Sequence, residues 1–536
     1  MSYTFTNKLT TATNTVFQNY RFSILLLTLL SVYASFGQIM NETQGTGSGA
    51  SITSGDYNSF FGDSSGTNLT SGHNNVFLGA HAGFNATYSS DNVFIGSEAG
   101  YANTNDIDNT FVGARAGRDN DGNDNTFIGT EAGMRNTWGG DNTFVGEQSG
   151  YYNTTGRDNT FMGEDAGYNN TDGDENTFIG SLAGRSNTTG DKNTALGFKA
   201  LYDVTTGHRN TTVGDSAGID IGTGSWNTMI GQGSGAGTEH ADYNTFVGWF
   251  AGWGNNRTSS TTNANRNTYL GAQTGYTNRD GEDNVGMGAF ADYDNSNRSR
   301  TTFIGAYSDA DHNDVTLIGY DTKVSGRYGI ALGNEAETTG TNSIAIGYQA
   351  TATASNEVYI GNSSMVHIGG AVNWTAVSDG RYKNNVNENV PGLSFISKLR
   401  PVTYNFDIDK LSERNGQNNL NPTKENIVYS GFIAQEVLAA AREINYDFSG
   451  VKVPTDSSQE LYGLRYAEMV VPLVKAVQEL NEKVENMEAS YTNNSTHTKK
   501  GNRTYVATLK RENELLKEQN RLLQLTLEKY ITVAAK

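Results

Sequence analysis

The chain has 536 residues, enough for several domains, with 63 Gly, 5 Pro and no Cys. Without cysteine there is no disulfide frame, no Cys-ligated zinc, no thiol nucleophile and no lipid-anchoring cysteine. A formal net charge of −19 argues against nucleic acid, whose binding needs a basic surface.

At the N-terminus, Lys8 and Arg21 precede an apolar run over residues 22–36. That run has the length of an export-signal core and is short for a membrane span. Small residues Ser35 and Gly37 place the cut before Gln38, so residues 1–37 read as a signal peptide and 38–52 as a leader. The expected location is secreted or cell-surface, with no transmembrane anchor after signal removal.

From residue 53 to 370 one pattern repeats, Asn-Thr-Phe-Ile-Gly-x-x-Ala-Gly, as at Asn125, Asn142, Asn159 and Asn176. The glycine after the apolar pair recurs mostly at a spacing of 17, with one step of 16 and one of 23. From Gly305 onward each step is 14. Each unit offers one short strand with a single apolar side chain turned inward. Glycine then permits a positive-φ turn, and Asn and Asp suit the loop. A unit this small cannot bury its own face, so copies must stack into a continuous core. All five prolines (Pro391, Pro401, Pro422, Pro454 and Pro472) lie beyond the repeat, as a proline-intolerant ladder requires. The fold class is therefore mainly β, a solenoid roughly 90 Å long at the spacing of stacked strands.

Within the repeat, "DNDGNDN" at residues 119–125 resembles a calcium loop with its glycine misplaced, and solvated acidic turn residues are the plainer reading. No metal or other cofactor is expected. The Thr column (Thr126, Thr143, Thr160, Thr177) is compatible with an ice- or glycan-binding ladder, and equally with ordinary strand preference. Loop aromatics Tyr151, Tyr152, Tyr168, Trp249 and Trp253 suit sugar stacking or packing between rungs and subunits. A surface glycan is thus one possible partner.

The 14-residue units, exemplified by "NSIAIGYQATATASNEVYIG" at 342–361, resemble the head repeat of YadA-like trimeric autotransporter adhesins. That resemblance implies a left-handed β-roll with three chains side by side, and the 17-residue units look like the same roll with longer loops. The barrel-forming strands of that family do not follow, so its export mechanism is not expected here.

After a junction at 371–377 the composition changes. Residues 378–490 read as a small α+β domain, with a heptad helix from about Tyr466. Val470, Val477 and Val484 fall at a, and Leu473, Leu480 and Met487 at d. A polar linker covers 491–504. A second seam at 505–530 has Val506, Asn513, Asn520 and Leu527 at a, with Leu509, Leu516, Leu523 and Tyr530 at d. Such seams predict an oligomer.

The motifs "SDGRYKNNV" (378–386), "LRPVTYNF" (399–406), "GFIAQEV" (431–437) and "YAEMVVPLVKAVQEL" (466–480) resemble the intramolecular chaperone domain of endosialidase-type phage tailspikes. The resemblance implies a homotrimer whose chaperone releases itself by cutting before the motif serine. The bond would be Val377–Ser378, with Ser378 the nucleophile and Lys383 its general base. A hydroxyl needs such a base to attack. Lysine serves only when neutral, which burial or a neighbouring cation such as Arg381 promotes. Asp379, Gln435 and Glu436 are possible supporting residues. The alternatives are an uncleaved trimerisation cap on a purely structural fibre, or a glycan- or ice-binding solenoid.

Overall fold

The computed structural model describes residues 40–257, 263–294, 297–372, 374–414, 422–455, 460–494 and 503–533. The export-signal reading over 1–37 lies outside them. The chain divides after Met365 into two units. No helix among the described residues is long and apolar enough to cross a membrane.

The first unit is the expected solenoid. Its main sheet has 20 strands, all paired in parallel between successive rungs. The register follows the repeat, so that Thr126, Phe127 and Ile128 face Thr143, Phe144 and Val145. The sheet begins earlier than the repeat motif, with Glu42–Gln44 paired to Ser59–Phe61 in the stretch read as a leader. Those residues lack the Thr-Phe-Ile signature, so their strand shows only through pairing with the next rung.

In the main-sheet strands from Ser59–Phe61 to Ile344–Ile346 the middle residue is buried and its two neighbours point outward. Phe127, Phe144 and Phe161 stack inside the roll at 4.7 Å between ring centroids. The turn after the strand demands glycine. At Gly146, φ is +140°, and a Cβ there would lie 2.4 Å from the Gly163 carbonyl oxygen of the next rung.

Inside, two columns of asparagine run along the axis. In the first, the backbone N–H of Asn142 donates to Asn125 Oδ1 (3.0 Å), that of Asn159 to Asn142 (3.0 Å) and that of Asn176 to Asn159 (2.9 Å). Each Nδ2 donates to a corner carbonyl, as Asn159 does to Gly173 (2.8 Å). In the second, the Nδ2 of Asn153, Asn170 and Asn187 donates to Oδ1 of the asparagine one rung back, at 2.5–2.7 Å. These side chains do inside the roll what water does outside, satisfying backbone groups that the turns leave unpaired.

The 14-residue units add a second parallel sheet of Asp309–Ala310, Lys323–Val324, Glu337–Thr338 and Thr351–Ala352. Their smaller circumference takes smaller core side chains, Leu317, Ala331 and Ala345 in place of Phe. At the changeover the core position is Gly286, where a Cβ would lie 2.1 Å from the Phe303 ring. Tyr269 and Phe303 approach across that gap, 5.8 Å apart.

The second unit is a small α+β domain with two long helices. Its helices are α1 (Leu393–Ile396), α2 (Ile408–Arg414), α3 (Ala434–Glu443), α4 (Val470–Asn494) and α5 (Arg503–Val533). Val402–Tyr404 pairs antiparallel with Tyr429–Gly431, and Val451–Lys452 with Gly463–Leu464. Val437, Ala440 and Ala441 lie on one face of α3 and pack with Phe395, Phe448, Val451 and Met469. The backbone N–H of Leu393 donates to Glu479 on α4 (2.8 Å), fixing α1 to the long helix. The seam residues Val470, Leu473, Val477, Leu480 and Met487 are exposed on α4, as are Leu509, Leu516 and Leu523 on α5. The side chains of Leu527 and Tyr530 lie outside the described residues.

Candidate functional site

The candidate site is one turn of chain. Asp379 caps a single 3-10 turn, Gly380–Tyr382, accepting the Arg381 backbone N–H at 2.9 Å. The turn closes through Tyr382 N–H to the Asp379 carbonyl (3.1 Å) and Lys383 N–H to the Gly380 carbonyl (3.2 Å). Lys383 leaves that turn with an extended backbone, and its long side chain reaches back to the start. Lys383 Nζ donates to Ser378 Oγ at 2.7 Å. Val377, on the other side of the bond in question, is 92% exposed. The surrounding stretch is exposed as well, including Trp374, Tyr382 and Val386.

Arg381 turns toward Asp379. Its Nε donates to Asp379 Oδ2 (2.9 Å) and Oδ1 (3.2 Å), and its Nη2 to Oδ2 (2.6 Å). These bonds hold the Asp379 carboxyl below the usual carboxylate range and raise the guanidinium above its own. The cation that sequence reasoning offered to Lys383 is therefore engaged by a carboxylate. Spacing alone gave no sign of this fork.

Gln435 and Glu436 sit on the first turn of α3. Glu436 receives Arg400 through Nε (3.0 Å) and Nη2 (2.5 Å), and that pair lowers its carboxyl below the ordinary range. Gln435 lines an open groove with Tyr404, Phe406, Phe432, Tyr462 and Tyr466. Neither makes a hydrogen bond to Ser378 or Lys383 among the described residues.

Residues 378–445 match a family model described as chaperone of endosialidase. Residues 318–336 and 339–356 match two copies of the YadA head domain repeat. The chain carries YadA-type head repeats followed by an endosialidase-type chaperone domain. The chaperone match starts at Ser378 itself. No curated protein matches the chain.

In the 17-residue units, the calcium-like stretch is occupied by internal bonds. Asp121 accepts Thr104 Oγ1 (2.6 Å), and Asp119 pairs with Arg118 (2.9 Å). Among the described residues no group of three or more His, Cys, Asp or Glu is arranged to hold a metal. The loop aromatics stack on one another across rungs. Tyr151 and Tyr168 are 5.1 Å apart, Trp253 and Tyr276 are 5.0 Å apart, and Arg257 lies over Trp253 at 4.0 Å.

Proposed function

We propose that this chain forms an exported, homotrimeric surface fibre, and that its chaperone domain frees itself by cutting the Val377–Ser378 bond. The observation that carries the proposal is the Lys383 amine on the Ser378 hydroxyl, beside an open Val377. Lys383, once neutral, takes the hydroxyl proton as Ser378 Oγ adds to the Val377 carbonyl carbon. The C–N bond breaks, the peptide nitrogen takes a proton, and Val377 is left as an ester on Ser378 Oγ. Water then hydrolyses the ester, leaving a Val377 carboxylate and a new N-terminus at Ser378. In the single chain the dyad is open to solvent. Burial between assembled chains supplies the desolvation that favours the neutral amine, and so couples cutting to assembly.

Trimerisation is supported by the outward face of the main sheet. The third residue of successive strands forms a continuous aliphatic column, and it is about as exposed at Leu78 (46%) as at Ile346 (37%). A column of this length left in water would be an association surface. The exposed seams of α4 and α5 give the second unit the same need for partners.

After release the shaft, about residues 38–377, would serve at the cell surface in attachment, with a surface glycan the natural ligand class for an adhesin. A second reading, a purely structural shaft, is favoured by the ring stacking: faces that would receive sugars are covered by the next rung.

Intact mass of the purified full chain beside Ser378→Ala tests the cleavage. The expected result is a wild-type fragment beginning at Ser378 and an uncut variant. Two uncut chains would make the second unit a permanent cap.

A further inference from the structure

The fork between Arg381 and Asp379 has no part in the cleavage step, yet it sits inside the turn that builds the dyad. Asp379 follows the nucleophile directly, and Lys383 lies four residues beyond it around the same turn. A free carboxylate there would favour the charged form of the amine, which is the form that cannot act as a base. The carboxylate is not free: both of its oxygens are taken by the Arg381 side chain. Among the described residues Lys383 forms no ion pair, and its ammonium meets the Ser378 hydroxyl alone. The stretch 374–389 is exposed apart from Asp379, so no packed element brings another charge to the amine; Glu388, the next charged residue along the chain, makes no pair with it.

We propose that Arg381 is a positioning residue acting through Asp379: it neutralises the carboxylate beside Ser378, leaving Lys383 able to give up its proton and serve as the base. This rests on the autoproteolytic reading above. The pair has a second, purely structural effect, since Asp379 also caps the turn through the Arg381 backbone N–H. The two effects separate in a pH profile. Loss of the turn slows cleavage at every pH. Loss of charge balance moves the pH at which cleavage switches on.

The experiment follows cleavage of the full chain during refolding from denaturant across a pH series, in wild type, Ser378→Ala, Arg381→Gln, Asp379→Asn and the double variant Asp379→Asn/Arg381→Gln. Asparagine keeps an oxygen for the cap. The expected midpoint moves alkaline by about one pH unit in Arg381→Gln and acid by a similar amount in Asp379→Asn. The double variant returns near wild type. Midpoints that stay fixed while rates fall would overturn the proposal, as would a double variant displaced like Arg381→Gln or silent at every pH. A wild-type chain that stays whole would instead sink the autoproteolytic reading, and this proposal with it.

Discussion

Asp106 stands at a corner position that many rungs fill with glycine, such as Gly139, Gly156 and Gly173. Burial, and then the neighbouring Asp121 carboxylate, push its carboxyl up to about 7. A carboxyl raised in the folded state stabilises the fold when protonated, and that contribution is lost as pH rises through the folded value. The shaft should therefore weaken on going from acid to above about pH 7. Asp106→Asn should flatten that dependence and gain roughly 2 kcal/mol on the alkaline side. Denaturant midpoints on both sides of neutrality read the difference; a variant with the wild-type slope would refute it. The resemblance offered Ser378 and Lys383 together in one short motif, and their side chains lie within a hydrogen bond of each other. The Asp379–Arg381 fork was not legible, because a five-residue spacing does not say which way the residues between will turn.

At the scale of the rung, the strand triplets were legible from Thr-Phe-Ile alternation and the turns from glycine. The asparagine columns were visible as letters but not as ladders, since a side chain's partner one rung away depends on the closed circuit of the chain. Their interruption was also hidden. Among the described residues Asn187 Oδ1 has no hydrogen-bond partner, because the next position in its column is Val204. The same region replaces core Phe by Ala195 and Thr212, while Leu201, Val204 and Ile221 are buried in the same cluster. Polar ladder is exchanged there for apolar volume. Where the ladder is intact it should be costly to break. Asn159→Ala strands the Asn176 backbone N–H, at about 2 kcal/mol, and leaves the Gly173 carbonyl with the Asn170 Nδ2 donor alone. Hydrogen exchange at the Asn176 amide should accelerate accordingly, and unchanged protection there would show that water replaces the side chain without loss.

For the whole molecule, nearly identical rungs pose a problem of register: each can stack one step out, and three chains must also agree with one another. A C-terminal clamp that fixes three ends before the rolls close answers it, and becomes dispensable afterwards. The order of repeat and chaperone domain was legible, since proline, the heptads and the chaperone-like motifs all fall after residue 376. The outward aliphatic column was not legible, because Thr-Phe-Ile reads as one apolar cluster until the sheet shows which side chains turn outward. Placing charge in the outward column, as Ile128→Lys with Met162→Lys, should leave single chains by sedimentation, while Thr155→Lys on an exposed loop should still assemble. Assembly of the double lysine variant would move the interface elsewhere.

The most direct test is the native mass of the mature product of the full chain. The account predicts three copies of a shaft whose chains each end at Val377. Single shafts, or trimers that still carry the second unit, would contradict it.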